Sequence, residues 1–499
     1  MFGETERPLW LFRSSHISIW RMVVGMISPR LLGISLGYFM VLLDATILNV
    51  ALPDITRDLG GDVASQQWAV NAYTVAFGSL LLSSGAIADR YGASRVFRIG
   101  LAGFGLVSLL CALSPTMPVL IGLRAVQGAT AAALPSSTLA LLGLLYTEPG
   151  ERARAIGLWA AVTGLGFAAG PLLGGVLVGW CGWRAVFLVN VPVAVLGLMM
   201  TRNLPRPVTR DRPLDLRAQV VAVGALALLI DTVIEVPRGR ALLPGALTVV
   251  AVLCLVAVER RSTSPAFSPV VLRVPRLRQA LMLGAVVQFQ MSGALFVLGL
   301  YLLDGRGQSP ALAGIAFLPM TAGPLLAPVV GRLATRTGAP PLIVTGLALT
   351  VLGNALTAAA VARDAPVVLI SLALLLVGAG LPLLLVPLTG QVVGSAPAGT
   401  GGTAGGLFNA FRQFGGGMGV AVLGAVVAGS GSRTGTAEAL GLSAAVVGAA
   451  LIVSLRNALA EAGPGHRGFP PVPGRPRLSS VWADGPLSRR TRRSAAPRR

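Results

Sequence analysis

The chain has 499 residues, 54% of them hydrophobic and only 12% charged, with a mean hydropathy of +0.76. Apolar runs of about 20 residues, the length that carries a helix across a bilayer, recur along nearly all of it, which excludes a soluble multidomain protein. The net charge of +21 invites a nucleic-acid partner, but the arginines fall in short loops between apolar runs, so a lipid bilayer is the expected surrounding and no nucleic acid is expected.

Residues 1–30 carry Arg7, Arg13, Arg21 and Arg30 with Trp10 and Trp20, and no apolar core followed by a small-residue cleavage site. They read as an interfacial segment, or as sequence ahead of a true start at Met22 or Met26. Six spans follow near 31–52, 68–88, 96–114, 118–144, 155–178 and 184–201, forming an N-terminal bundle over 31–201. Two more, near 216–236 and 241–258, lie in the central stretch 202–278. The last six, near 279–303, 311–331, 340–360, 366–387, 403–428 and 437–455, form a C-terminal bundle over 279–455. The stretch 456–499 becomes Pro/Gly/Arg-rich from Gly463, without periodicity, and reads as a basic disordered tail, either drawn to anionic lipid or simply solvated.

The expected architecture is therefore all-α, with two six-helix bundles and two extra central helices, fourteen spans in all. An internal echo supports it. GAIADRYG (Gly85–Gly92) reappears as GRLATRTG (Gly331–Gly338), 246 positions on, and the same offset carries the first six spans onto the last six. Counted by alternate loops, 31 arginines fall on one side of the membrane and seven on the other. Both termini are thus expected in the cytoplasm and the chain in the cytoplasmic membrane.

Ionisable residues deep in a span are costly and mark functional candidates. Asp44 in LLDATILNVALPDI lies ~4 Å from the bilayer midplane, with Asn49 and Pro53 after it. Burial favours the protonated form of a lone carboxylate unless a cation or hydrogen-bond donors hold it ionised, so such a group can carry a proton, meet a cationic cargo, or be a structural tie. Arg124 and Gln127 in RAVQG share a helix face at a similar depth, where Arg124 can pair with Asp44, with cargo, or with backbone carbonyls. Asn409, Arg412 and Gln413 make a second deep polar cluster.

The fifth span reads GLGFAAGPLLGGVLVG. Gly166, Gly170 and Gly174 lie on one face and Pro171 can bend the helix, a packing and hinge surface rather than a nucleotide site. Asp231 and Glu235, four apart at the end of the seventh span, either share a proton or are solvated. Cys111, Cys181 and Cys254 form no C-x-x-C pair, so no metal is expected. His16 and His466 lie in the tails, which disfavours a membrane-embedded enzyme.

Together these residues resemble the fourteen-span drug:proton antiporter branch of the major facilitator superfamily, over about 31–455. LDATILNVALPDI is similar to its first-span motif, GAIADRYGASR to its loop after the second span, and RAVQG to its fourth-span motif. GFAAGPLLGG, which adds Gly175, resembles its fifth-span antiporter motif. WRAVFLVNVPVAVLG, YLLDGRGQSPALAGIAFLP and GLFNAFRQFGGGMGVAV resemble segments of the sixth, ninth-to-tenth and thirteenth spans.

The resemblance implies proton-coupled export of small amphipathic compounds by a monomer with no cofactor, Asp44 and Arg124 taking part in coupling. It implies that Asp89 and Arg90 lock the two halves, with Gly85 and Gly92 shaping the turn. Ala93 and Ser94 stand where the family has basic residues, leaving Arg95, and Thr335 stands where the first half has Asp89. A proton-coupled importer of a polar solute and a non-transporting sensor of the same fold are the rivals. One deep carboxylate against two deep arginines argues against a preference for dications.

Overall fold

A serine and then a proline open the first helix. Ser28 Oγ accepts the Leu31 N–H at 3.1 Å, and Pro29 enters with its φ already helical and no N–H to satisfy. The computed structural model describes residues 28–205, 216–262, 269–397 and 400–462. Within them the chain is a succession of helices: α1 Pro29–Leu59, α2 Val63–Tyr91, α3 Ala93–Ala112, α4 Met117–Leu145, α5 Pro149–Cys181, α6 Ala185–Met200, α7 Leu216–Glu235, α8 Leu242–Arg261, α9 Pro275–Gly305, α10 Pro310–Thr337, α11 Ala339–Ala362, α12 Val367–Ser395, α13 Gly401–Ser430 and α14 Ser432–Ala462. The expected tail beyond Gly463, residues 1–27 and Arg206, Arg210 and Arg212 lie outside the described residues.

Among the described residues twelve helices are long and apolar enough to span a bilayer, or thirteen when α2, bent by 60° between Leu81 and Ser83, counts as one. The remaining helix, α6, is apolar but short, with a turn at Val189 between Ala185–Leu188 and Asn190–Met200. The expectation of fourteen full spans is approached on that count and not reached. Helix α10 is also interrupted. Pro319, Pro324 and Pro328 each lack an N–H, and the helix breaks into Pro310–Thr321 and Ala327–Thr337 around a tight turn at Gly323–Leu326.

The packing repeats with the sequence. Helix α1 lies along α5 as α9 lies along α13; α2 pairs with α4 as α10 does with α12; α3 pairs with α4 as α11 does with α12. The halves meet through the exchanged pairs α2–α13 and α5–α10, the arrangement a two-fold axis between them produces. Helices α1 and α9 are the innermost, two thirds of their apolar windows buried, against 17% for α7 and 11% for α8. These last two pack on each other, and α7 also touches α2 and α13. Leu243, Val249 and Leu253 of α8 face outward, as a lipid-facing helix requires.

The described residues up to Leu455 form one compact unit, and those from Arg456 onward a second, described only as the end of α14.

Candidate functional site

The N-terminal bundle closes around Asp44. Helix α1 brings this carboxylate in and α4 brings Arg124, each only 1% exposed. Arg124 Nη1 meets Asp44 Oδ2 at 2.5 Å and donates to Gln127 Oε1 at 2.6 Å, while Gln127 Nε2 donates to Asp44 Oδ1 at 3.1 Å. Arg124 and Gln127 stand one helical turn apart, so a single face of α4 supplies both groups. Asn190 Nδ2 of α6 adds a contact to Asp44 Oδ1 at 3.3 Å, and Ser108 of α3 takes a second hydrogen bond from Gln127 at 2.8 Å. Arg124 Nε donates to the Ala69 carbonyl at 3.1 Å, and the guanidinium lies 4.4 Å from the centre of the Tyr73 ring. Of the alternatives open from sequence, the structure shows Arg124 paired with Asp44 and with a backbone carbonyl together.

Asn190, Ser108 and Tyr73 were not singled out from sequence. Each stands in an apolar run, and a polar side chain there was the one available signal. Which helix it would face is set by the packing of α3 and α6 against α1 and α4, which spacing does not encode.

Between the halves lies a narrow cavity of about 80 Å³. Leu42, Ala45, Thr46 and Asn49 of α1 line one wall and Gln288, Met291, Ser292 and Leu295 of α9 the other, each residue of the first set 246 positions before its counterpart. The offset read from two glycine-rich turns therefore holds at the centre of the molecule. The volume is below the ~300 Å³ at which small-molecule sites begin. Arg124 reaches this cavity from behind Tyr73, and Arg412 and Gln413 of α13 enter it from the other half. Arg412 Nη2 donates to Gln288 Oε1 at 3.0 Å and Nη1 approaches Asn409 Oδ1 at 3.5 Å. Asn409 itself donates to the Gly405 carbonyl and is not part of the lining. Asn49 turns its amide to the Ala45 and Thr46 carbonyls.

The glycine face of α5 does what its spacing predicts. A Cβ at Gly166 would stand 2.6 Å from the Phe39 carbonyl oxygen, one at Gly174 2.9 Å from the Ile47 carbonyl oxygen, and one at Gly170 on top of Thr46 Oγ1. Gly175 turns to the other half and meets the Pro310 carbonyl of α10. Pro171 offers its own carbonyl to Gly314.

One expectation needs correction. Gly85 does not shape the turn after α2: it lies within the helical segment Ser83–Tyr91 with open space around it, and Gly92 alone takes the left-handed φ of 85°, as Gly338 does at 80° in the second half. Asp231 and Glu235 are both part-buried, and each has a partner. Asp231 accepts from Trp68 Nε1 of α2 at 3.2 Å, and Glu235 pairs with Arg238 at 3.3 Å, the same arginine that reaches Asp62 at the start of α2. Asp89 is half-buried, Arg90 lies 5.8 Å from the Tyr91 ring, and Arg95 is exposed.

In the second half the positions equivalent to Asp44, Ser108 and Asn190 are Gln290, Asn354 and Thr436, while Arg124 and Gln127 correspond to Ile370 and Ala373. Gln290 Nε2 meets Asn354 Oδ1 at 3.4 Å, and Gln290 Oε1 and Thr436 Oγ1 are buried without a partner among the described residues. The scaffold of the site is duplicated; its charges are not.

The chain matches the Major Facilitator Superfamily over residues 34–420. It is 35% identical to the multidrug resistance protein Stp of Mycobacterium tuberculosis, over 80% of this chain and 75% of that one. The puromycin resistance protein pur8 of Streptomyces alboniger is 38% identical over 78% and 80%, and the tetracenomycin C resistance and export protein of Streptomyces glaucescens 34% over 82% and 76%. A POT family transporter solved in complex with 5-aminolevulinic acid shares the fold with a TM-score of 0.67, over 88% of this chain and 97% of that chain, at 15% identity. By the length of the family match and by its relatives, the chain belongs to the major facilitator superfamily.

Proposed function

We propose that this protein exports small amphipathic compounds, of the antibiotic or drug class carried by its relatives, in exchange for protons across the cytoplasmic membrane. It does so as a monomer, with no cofactor and no catalytic step, and with both termini in the cytoplasm. The relatives named for multidrug, puromycin and tetracenomycin C resistance support the cargo class. The observation that carries the exchange is the position of Arg124: it pairs with the buried Asp44 on one side and lines the central cavity on the other.

A proton on Asp44 cancels the charge that holds Arg124, and the guanidinium is then free to change its partners at the cavity wall. Cargo touching Arg124 and a proton arriving at Asp44 thus bias the same side chain, and each shifts the population of inward- and outward-facing forms only by its differential binding to them. The exchanged helix pairs α2–α13 and α5–α10 are the surfaces over which the halves rock.

The test uses the purified chain in proteoliposomes with an imposed pH gradient, and tetracenomycin C as first cargo. The wild type is expected to concentrate cargo, and Asp44→Asn to lose the dependence on the gradient while still binding a neutral compound. Accumulation by Asp44→Asn equal to the wild type would assign Asp44 a purely structural role.

A further inference from the structure

We infer that the cargo carries an anionic group, a carboxylate, sulfonate or ionised phenol, and that Arg412 is the side chain that receives it. The inference rests on the export reading and names the chemistry of the same cavity.

The charges around the cavity are unbalanced. Arg124 and Arg412 line it, and among the described residues no Asp or Glu does. Arg124 is already neutralised by Asp44 behind the wall. Arg412 has no carboxylate partner among the described residues; its contacts are the neutral oxygens of Gln288 and Asn409. Its Nε is buried with no acceptor. A guanidinium has five N–H donors, and leaving a half-buried cation with donors unmatched carries a cost. An anion entering beside Arg412 removes that cost through charge-assisted hydrogen bonds, in a two-pronged geometry where its oxygens allow.

The repeat shows that packing does not demand this cation. The position equivalent to Arg412 in the first half is Gly166, and the one equivalent to Gly284 is Tyr38. In the first half a large Tyr38 accompanies a small Gly166; in the second a small Gly284 lies against the Phe408 ring and the Arg412 stem, which would stand 2.5 and 3.2 Å from a Cβ at that glycine. A neutral side chain of similar volume would fill the space as well. The charge faces Tyr38 and Phe167 across the cavity, flat apolar surfaces suited to the body of an amphipathic anion.

The test measures binding of three dyes with one xanthene scaffold to the purified full chain in detergent, by fluorescence polarisation at mildly alkaline pH: fluorescein (anionic), rhodamine B (zwitterionic) and rhodamine 6G (cationic). The wild type is expected to bind fluorescein most tightly. Arg412→Gln is expected to weaken fluorescein about tenfold or more and to leave rhodamine 6G as tight as before or tighter, with the fluorescein affinity of Arg412→Lys between the two. Tighter binding of rhodamine 6G than of fluorescein by the wild type overturns the inference, whether or not the variants fold. So does fluorescein affinity within about twofold of wild type in Arg412→Gln. Gradient-driven export of rhodamine 6G but not fluorescein from the same protein in proteoliposomes would leave the export reading standing and the anion assignment refuted. Neither binding nor flux of any of the dyes would refute both.

Discussion

The Asp44–Arg124 pair invites a double-mutant cycle. Each side chain is 1% exposed, they meet at 2.5 Å, and the groups around them are neutral: Gln127, Asn190 and the Ala69 carbonyl. Removing one member of a buried ion pair strands the other, at a cost of ~3–5 kcal/mol. Asp44→Asn keeps the shape and leaves Arg124 without its counter-ion; Arg124→Gln leaves Asp44 without its cation and also loses the contact with the Tyr73 ring at 4.4 Å. The double variant has no stranded charge, so its loss is expected to fall short of the sum of the singles by ~2–3 kcal/mol. Denaturant unfolding in mixed micelles, followed by tryptophan fluorescence, reads the four stabilities. Additivity within ~0.5 kcal/mol would refute the coupling and with it the account of Arg124 as the link between proton and cargo.

Gly170→Ala places a methyl group where Thr46 Oγ1 stands and is expected to cost ~1–3 kcal/mol, read as a lower melting temperature, while Gly179→Ala, with nothing within 4 Å, changes nothing. Gly175→Leu wedges α5 from α10 at Pro310 and should abolish transport, with the protein still eluting as a folded monomer from size exclusion. Asp62, in the loop before α2, is pulled toward a higher pKa by burial, but the Ser65 N–H and hydroxyl and Arg238 together hold it below its ordinary 3.8. A carboxylate lowered in the folded state contributes its stabilisation when ionised and loses it as pH falls through the folded value, so the protection factors of the Ser65 and Gln66 amides, corrected for the intrinsic rate, are expected to fall below about pH 4. Asp62→Asn should flatten that dependence, and an unchanged pH profile in the variant would show that another group controls it.

Much of this was legible because membrane burial leaves a coarse code. Apolar run lengths located the helices, and the 246-residue offset between two Gly-bounded turns predicted the register of the cavity wall from Leu42/Gln288 to Asn49/Leu295. Asp44, Arg124 and Gln127 stood out because charge and amide groups are rare at that depth. What spacing could not convey was which helices would meet. Asn190 reaches Asp44 only because α6 packs on both α1 and α3, and Arg238 reaches Asp62 only because α7 lies beside α2. Gly85 misled for a local reason: a glycine in a turn-like motif and a glycine inside a helix look alike in sequence, and only the positive φ at Gly92 separates them.

The replacement of Asp44 and Arg124 by Gln290 and Ile370 in the second half bears on how steep a gradient the protein can build. Asp44 is the one fully buried carboxylate among the described residues. In the proposed exchange, with Asp44 as the sole proton carrier, one proton moves per turnover. One proton falling through one pH unit releases about 1.4 kcal/mol, enough for about a tenfold ratio of a neutral cargo across the membrane. A duplicated machine that had kept the acid in both copies could square that ratio, at twice the proton consumption per molecule expelled. With its second copy neutral, the proposed one-proton exchange would be geared for turnover against shallow gradients, at half the proton consumption of a two-acid carrier.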